Sequence, residues 1–158
     1  MSIDIKADAF QDRRSKPRHI WFLNSAFDNI NFDTAIQRIA EREPKKKFEF
    51  VVTPNVDHLV RLRRDGLLAP LYAQAWMTVC DSRVLELIAG LSGADVDVTP
   101  GSDLTACLFD NVIVRTEPIT VIGGSQDVID TVKARYGLTD VRWHNPPMGL
   151  RTNPEAVS

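Results

Sequence analysis

The sequence predicts an α/β fold: a parallel sheet with helices on both faces. Short apolar runs alternate with helical patterns in the order β-α-β-α-β-α-α-β-α-β, and such alternation favours a parallel sheet covered by helices. Polar or glycine-rich turns follow several of these runs directly. The 158 residues are enough for one domain with a sizeable core.

The predicted strands are compact apolar runs, each bounded by polar or turn residues. They lie at residues 20–23, 48–52, 76–80, 118–122 and 141–143. The run at 48–52 carries a single charge, which is typical of a buried strand. Residues 95–100 are predicted as a loop or a short extended piece.

The predicted helices carry apolar residues at helical spacing after a residue that can cap a helix N-terminus. The candidate caps are Asn31 or Asp33, Asn55, Ser102 or Asp103, and Ser125. Two further helices are expected at 67–75 and 83–91. Gly90 and Gly93 are predicted to stop the second of these, and Gly137 the helix after Ser125.

Composition excludes several classes of protein. The 19 Lys+Arg and 21 Asp+Glu give a net charge of −2, which argues against a dedicated nucleic-acid binder. No apolar run approaches the roughly 20 residues that cross a bilayer, and the first residues lack the apolar core of a signal peptide. Cys80 and Cys107 cannot build a disulfide framework or a zinc cluster and are expected to be small buried apolar residues. A cytoplasmic location is therefore predicted.

The expected domain organisation has three parts. Residues 1–18 are polar and mixed in charge, which predicts a flexible N-terminal arm. Residues 19–150 form the predicted α/β domain, and residues 151–158 form a C-terminal tail.

Three turns directly after predicted strands carry candidate functional groups. They are Thr53 with Asn55, Asp81 with Ser82, and the turn Gly123-Gly124-Ser125. Right-handed crossovers would bring the carboxyl ends of all these strands to one edge of the sheet. Ligands of such folds bind at that edge, so we expect one crevice lined by all three turns.

Each turn also has a purely structural interpretation. Asp81 could remove a proton from a hydroxyl nucleophile or cap the next helix, and local sequence favours the cap. Thr53 and Asn55 could hold a sugar hydroxyl or a developing charge, but turn and capping chemistry is locally favoured.

Two glycine-containing turns leave similar alternatives open. The turn at 123–125 suits a pyrophosphate at a helix start about as well as it suits an ordinary tight turn. Gly101 could let the backbone lie against a ligand, while Asp103 could simply serve the helix dipole. No His, Cys and Asp grouping has metal-ligand spacing, so no metal or cofactor is expected.

Four motifs, in this order and spacing, resemble the WecG/TagA/CpsF glycosyltransferase family. They are residues 50–59 (FVVTPNVDHL), Asp81-Ser82, residues 99–104 (TPGSDL) and residues 121–125 (VIGGS). The resemblance covers about residues 20–150. It implies a Rossmann-like, metal-independent, inverting transferase of bacterial cell-surface polysaccharide synthesis, which moves a sugar such as N-acetylmannosamine from UDP to an undecaprenyl-diphosphate-linked acceptor.

The resemblance also implies site residues. Asp81 matches the proposed catalytic base, and Thr53 and Asn55 match a Thr-x-Asn pair of the active-site pocket. Gly101 and Asp103 match a Gly-x-Asp-Leu segment that lines the pocket. Gly123 and Gly124, with Ser125 beside them, match the glycine turn expected near the nucleotide. Ser82 is assigned to substrate binding as the neighbour of Asp81.

This sequence departs from the family pattern at two places. Residues 97–100 (DVTP) stand where relatives usually carry an arginine. The chain also stops at Ser158, where relatives continue with a further strand, a helix and an arginine-rich tail, so the C-terminal part of the family fold is expected to be missing.

The leading function is therefore an inverting UDP-sugar-dependent glycosyltransferase that works at the inner face of the plasma membrane. Its partners would be the UDP-sugar and a lipid-linked acceptor, not nucleic acid, and a homo-oligomer remains open. The alternatives are a catalytically impaired nucleotide-sugar-binding module and a Rossmann-like interaction protein, since a fold alone implies no function.

Overall fold

The computed structural model describes residues 19–23, 25–43 and 47–147. Their elements, in chain order, are β1 (His19–Phe22), β2 (Ser25–Asp28), α1 (Phe32–Ala40), β3 (Val51–Val52), α2 (Val56–Arg64), α3 (Leu68–Tyr72), β4 (Met77–Thr78), α4 (Arg83–Leu91), α5 (Gly101–Asn111), β5 (Ile119–Ile122), α6 (Gln126–Tyr136) and β6 (Val141–His144). The chain divides into two compact units, with the boundary between Leu104 and Thr105, inside α5.

Helices and short parallel strand pairs confirm the α/β class. The described strands form three two-stranded sheets: β1–β2, β3–β4 and β5–β6. The continuous Rossmann-like sheet with helices on both faces stays a prediction.

The first unit opens with an antiparallel hairpin rather than a lone strand. β1 pairs with β2, and Ile20 lies opposite Phe27. Both side chains are buried, so the hairpin turns one apolar face inward. The expectation that the strand at 20–23 leads directly to a helix is wrong. β2 contains one large apolar side chain in four residues, which is too little alternation to mark it as a strand.

Asp28, the last residue of β2, joins this hairpin to the next sheet. Its Oδ2 accepts a hydrogen bond of 2.9 Å from the backbone N–H of Thr78 in β4. His19 Nδ1 and Arg38 Nη1 lie 3.5 and 3.7 Å from its other carboxylate oxygen. The Asp28 carboxylate therefore satisfies a backbone N–H on the edge of β4.

Three parallel segments follow in the first unit. β3 pairs with β4 in the register Val51 opposite Met77. On the other edge of β4, Cys80 forms a parallel bridge with Val98, and Thr99 N donates to Cys80 O at 2.7 Å. β4 therefore lies between β3 and the 98–99 segment, and the extended alternative for residues 95–100 is confirmed at Val98.

The strand predicted at 48–52 is shorter than expected. Only Val51 and Val52 are β-structure, and both are half-buried. Phe48 is 84% exposed, because pairing with the neighbouring segment begins at Phe50, whose carbonyl accepts from Trp76 N. An apolar run thus predicts a strand without showing where its partner starts.

Helix ends agree with the predictions where a local signal acts alone. Asn31 caps α1, Asn55 caps α2, and Gly137 ends α6 with φ of 65°. α5 begins at Gly101, so the prediction of Ser102 or Asp103 as its cap is wrong.

The helix predicted over 83–91 is confirmed: α4 includes Gly90 and ends at Leu91, and Gly93 with φ of 79° follows it. One other predicted helix is longer than the observed one. The helix expected over 67–75 is limited to Leu68–Tyr72.

The core of the first unit lies under the hairpin and two helices. It comprises Ile20, Phe27, Leu59, Cys80, Leu85, Ala89 and Val96. Leu59 belongs to α2, and Leu85 and Ala89 belong to α4. Cys80 is buried, as predicted, while Cys107 is half-buried, and both are free thiols.

The second unit holds the other parallel pair. β5 and β6 run side by side from Ile119 opposite Val141 to Ile122 opposite His144, and α6 connects them. The rings of Phe109 and Tyr136 stack with centroids 4.9 Å apart. Within the described residues, no helix has the length and apolar character needed to span a membrane.

Candidate active site

The turn after β3 is held by side chains. Asn55 Oδ1 accepts from His58 N, and His58 Nδ1 accepts from Asn55 N, both at 3.2 Å. This reciprocal capping box satisfies N–H groups at the start of α2. Pro54, directly before Asn55, is fully buried. The turn and capping chemistry predicted for Asn55 is therefore present.

Thr53 lies against the first residue of α5. A Cβ added to Gly101 would stand 2.7 Å from Thr53 Oγ1 and 3.3 Å from its Cβ. Real side chains do not approach so closely, so a glycine is needed for this contact. The contact brings the Thr53 hydroxyl to the positive end of the α5 dipole. Ser102 and Asp103 occupy the exposed first turn of the same helix.

Asp81 is joined to the turn after β3 through its backbone. Asp81 N donates to Pro54 O at 3.1 Å, which places the carboxyl end of β4 beside that of β3. The side chain of Asp81 is half-buried. Within the described part of the chain, its carboxylate makes no hydrogen bond or ion pair.

Ser82, not Asp81, caps α4. Ser82 Oγ accepts from Leu85 N at 3.3 Å, so the structural role considered for Asp81 is taken by its neighbour. The prediction that Asp81 caps this helix is wrong. What remains for Asp81 is a half-buried carboxylate at the edge where ligands of α/β folds bind.

Thr99 is a further polar residue at this edge that local sequence reasoning did not single out. It follows the Val98 bridge as Thr53 follows β3, and it is 0% exposed. Among the described residues, its Oγ1 has no hydrogen-bond partner. A threonine directly before Pro100-Gly101 was the available signal. Thr53, Asp81 and Thr99 thus follow three adjacent parallel segments.

Cys80, beside Asp81, is not a nucleophile. Burial raises the pKa of its thiol, and the negative charges of Glu86 and Asp81 raise it further. Its Sγ donates weakly to Ser82 O at 3.5 Å. Since the thiolate is the reactive form, this cysteine is a packing residue.

The glycine turn of the second unit is built differently. Gly123 and Gly124 have φ of 92° and 75°, a region that side chains disfavour. In the part of the chain that the structure describes, no heavy atom would lie within 4 Å of a Cβ at either position. Ser125 precedes α6, but its side chain makes no capping hydrogen bond. The turn is therefore open, with a helix start beside it.

Trp143 supports this turn and was missed as a candidate. Its indole Nε1 donates to Gly123 O at 2.9 Å, while Gly123 N donates to His144 O at 2.8 Å. Both bonds come from β6, so the strand pairing orients the first glycine. The tryptophan of the last predicted strand carried no local signal for this contact.

The structure thus groups Thr53, Asn55, Asp81, Ser82 and Gly101 at the carboxyl edge of the first unit's parallel segments, with Asp103 in the next turn. Gly123, Gly124 and Ser125 form a turn in the second unit. The expectation that both sets line a single crevice stays a prediction.

A cavity of about 620 Å³ lies elsewhere in the first unit, with Trp21, Asp28 and Tyr72 in its wall, and none of the predicted site residues lines it. Of the residues that the structure describes, no three or more His, Cys, Asp or Glu are placed to hold a metal ion.

Comparison with known proteins gives the class of this chain: it belongs to the glycosyltransferases. Within that class, the model of the WecG/TagA/CpsF glycosyl transferase family matches residues 20–158, and the chain is a member of this family. The match confirms the resemblance and extends it to the last residue of the sequence. No curated protein matches the chain, and no solved structure does.

Proposed function

We propose that this protein is an inverting glycosyltransferase in which Asp81 acts as the general base. The observation that carries the proposal is the state of Asp81. Its carboxylate is unpaired within the described residues, and the adjacent Ser82 performs the capping. Family membership supplies the reaction class, sugar transfer.

The proposed step is a single displacement. The acceptor hydroxyl oxygen attacks the anomeric carbon of the donor sugar while Asp81 takes the hydroxyl proton. The bond from the anomeric carbon to the UDP oxygen breaks, and its electron pair leaves with UDP. Attack from the face opposite the leaving group inverts the anomeric centre.

Thr53 is proposed to orient a substrate hydroxyl or the developing charge beside Asp81. Its support is the close contact with Gly101, which restricts where the Thr53 side chain can lie. An oriented hydroxyl stabilises a transition state without reorganising during the reaction. We assign the side-chain NH₂ of Asn55, the hydroxyl of Ser82 and the carboxylate of Asp103 to binding the same substrates.

The glycine turn is proposed to bind the diphosphate of the donor. Support comes from the positive φ of Gly123 and Gly124 and the open space at both, together with the N-terminus of α6, an 11-residue helix. Backbone N–H groups at a helix start favour a phosphate. They would stabilise the leaving UDP, and the proposal assigns no metal.

The proposed donor is a UDP-sugar of the N-acetylmannosamine kind, and the proposed acceptor is an undecaprenyl-diphosphate-linked saccharide. A lipid-linked acceptor places the reaction at the inner face of the plasma membrane. These identities rest on the motifs at Thr53-x-Asn55 and Gly101-x-Asp103-Leu104, which carry the family resemblance.

The test compares Asp81→Asn with Ser82→Ala in transfer from UDP-sugars to a lipid-linked acceptor. General-base catalysis typically contributes about 10²–10⁴-fold, so Asp81→Asn should reduce kcat by that factor and keep UDP binding. Ser82→Ala removes the real cap and should cost about 1 kcal/mol of stability with a much smaller loss of kcat. Equal kcat in wild type and Asp81→Asn would remove Asp81 from the chemistry.

One observation favours the alternative of a nucleotide-sugar-binding protein without transfer. Residues 97–100 (DVTP) carry no cation, where the family resemblance places an arginine. A UDP-dependent rise in Tm with no product from any donor and acceptor pair would establish that alternative.

A further inference from the structure

The cavity of about 620 Å³ in the first unit is lined by residues of the β1–β2 hairpin and by residues between Leu62 and Thr78. Its size is within the roughly 300–1,000 Å³ that is usual for small-molecule sites. Three aromatic side chains contribute to its wall, and we call it the aromatic cavity after them: Trp21, Tyr72 and Trp76. None of the three belongs to the proposed active site.

The hairpin supplies one wall of the aromatic cavity because its two faces differ. In the β1–β2 pairing, His19 lies opposite Asp28. Trp21, two residues further along β1, lies opposite Ala26, so these four residues share one face of the hairpin. All four line the cavity. The other face of the hairpin is turned towards the core of the first unit.

Trp21 is the most accessible aromatic ring of this wall. It is 74% exposed, although tryptophan is on average a highly buried residue type. An indole left in water forgoes the stabilisation that its burial would give. A large exposed ring that lines a cavity therefore offers a surface on which the apolar face of a ligand can pack.

Tyr72 and Trp76 add polar groups to the aromatic wall. Both residues are half-buried. Among the described residues, neither Tyr72 Oη nor Trp76 Nε1 has a hydrogen-bond partner, whereas tyrosine and tryptophan usually find one when buried. The Tyr72 ring lies beside that of His58, with 6.5 Å between the centroids. The cavity thus combines aromatic rings with unused hydrogen-bonding groups.

The charges of the wall argue against an ionic ligand. Among the described residues that line the cavity, none is Lys or Arg, so no permanent cation is there to pair with a phosphate or carboxylate. The one carboxylate of the wall, on Asp28, accepts the N–H of Thr78 and lies 3.7 Å from Arg38 Nη1. Its negative charge is therefore already compensated, and the ligand that fits this wall is uncharged.

We propose that the aromatic cavity binds a neutral saccharide. A sugar ring has a face of C–H groups, which packs on the electron-rich face of an indole, and hydroxyls at its rim, which need hydrogen-bonding groups. The wall supplies such groups through the carboxylate of Asp28 and the hydroxyls of Ser25 and Thr78. A hydrocarbon chain would instead cover these polar groups without satisfying them.

The saccharide site is distinct from the proposed catalytic centre. Trp76 directly precedes β4, whereas Asp81 follows the carboxyl end of that strand. Asp81 does not line the cavity. The site would therefore hold a saccharide without acting on it, a role that agrees with membership of a glycosyltransferase family. Binding there depends neither on Asp81 as the base nor on UDP.

The test is isothermal titration calorimetry with N,N′-diacetylchitobiose, a neutral disaccharide, as the probe. Wild type should bind the probe with a Kd below about 1 mM. Trp21→Ala removes the exposed ring and should weaken binding at least about tenfold. Leu67→Ala is the matched control and should leave the Kd unchanged, because Leu67 is also 74% exposed but does not line the cavity.

A second variant and a competitor test the position of the site. Ala69→Phe introduces a ring from an exposed position of the cavity wall, so it should also reduce binding of the probe. Saturating UDP should leave the Kd unchanged. Competition by UDP would place the probe in the donor site and overturn the proposal. Circular dichroism of each variant verifies that it is folded.

Binding that Trp21→Ala weakens and Leu67→Ala preserves supports the saccharide site. Absence of binding up to about 10 mM probe overturns it, as does an equal Kd in wild type and Trp21→Ala. Uridine or dodecanoate that bound in place of the disaccharide, and lost binding in Trp21→Ala, would reassign the cavity to a nucleobase or an acyl chain. Because calorimetry measures binding without transfer, failure of Asp81 as the base would not alter these results.

Discussion

Two turns of this protein each lead from a parallel strand into a helix, but they are built in opposite ways. The turn from β3 to α2 is packed: Pro54 is fully buried, and Asn55 and His58 cap each other's backbone. The turn from β5 to α6 has two glycines at positive φ, open space at both, and no capping hydrogen bond from Ser125. Among the described residues, backbone hydrogen bonds and the indole of Trp143 hold this turn.

The difference separates two kinds of binding surface. A packed turn fixes side chains, which suits residues that must point at a reacting atom, such as Thr53. An open turn exposes backbone N–H groups, which suits a diphosphate that is recognised by charge and close approach. The packed turn should lose stability when a side-chain atom is added, and the open turn when a residue with less backbone freedom replaces a glycine.

The largest expected effect comes from breaking the packed turn at Gly101. Gly101→Ala puts a Cβ 2.7 Å from Thr53 Oγ1, and overpacking of this kind costs about 1–3 kcal/mol. Chemical denaturation would measure the loss, and transfer should fall as Thr53 is displaced.

Gly90→Ala is the control for Gly101→Ala. Gly90 lies inside α4 with nothing within 4 Å of an added Cβ, so alanine should stabilise the protein by about 0.5–1 kcal/mol. If Gly101→Ala stabilised equally, the contact with Thr53 would be unimportant. Adding Thr53→Ala, which removes the nearest atom, should restore most of the lost stability.

A smaller effect is expected from restricting the open turn. Gly124→Ala forces alanine to φ of 75°, a left-handed conformation that costs about 1–2 kcal/mol. Urea denaturation measures it. Gly66→Ala, at an equally open glycine without positive φ, should not destabilise, and a matching loss there would show that the φ of Gly124 is irrelevant.

The two caps give a direct comparison of the turns. Asn55→Ala removes a bond to His58 N and should cost about 1 kcal/mol, within the 0.5–2 kcal/mol range of such caps. Ser125→Ala removes a side chain with no capping bond and should change the free energy of unfolding by less than about 0.5 kcal/mol. Thermal unfolding of both variants measures these changes. Equal losses of stability in the two variants would contradict the proposed difference between the packed and the open turn.

The smallest effect concerns Cys80, at the end of the packed region. Its pKa is raised by burial, so above about pH 8.5, where an ordinary thiol ionises, the unfolded chain binds fewer protons than the native one. Stability should therefore be unaffected by this group at neutral pH and fall as the pH rises through the raised pKa.

Comparing denaturation of wild type and Cys80→Ala between pH 7 and 10 isolates this contribution. The difference in free energy of unfolding between wild type and Cys80→Ala should become smaller at high pH. In the native protein, a thiol reagent should modify the half-buried Cys107 first, and Cys80 only on unfolding. Equal rates for both cysteines would contradict the assignment of Cys80 as a packing residue.

Local signals predicted much of the fold, and long-range contacts limited the rest. Asn31, Asn55 and Gly137 act within one helical turn, so their roles could be read from neighbouring residues. The exposure of Phe48 depends on where a strand some 26 residues away begins to pair (Phe50 with Trp76), which no local pattern contains.

The candidate site shows the same limit. The positions of Thr53 and Asp81 after strands were predictable, because strand ends have local signals. The choice of Ser82 over Asp81 as the cap was not, since two adjacent residues were both competent caps. The contact between Thr53 and Gly101 joins two motifs far apart in sequence, so it needed the tertiary structure.

The hydrogen bond from Thr78 N to Asp28 Oδ2 affects how the first unit unfolds locally, and it keeps other strands from pairing with the edge of β4. Had the hairpin detached, β4 would expose an unpaired edge N–H that another strand could capture, and an 11% exposed carboxylate would lose a bond made across fifty residues of chain. Opening of the hairpin and fraying of β4 should thus be one cooperative event. Amide exchange at Thr78 would then report on the attachment of the hairpin as a whole.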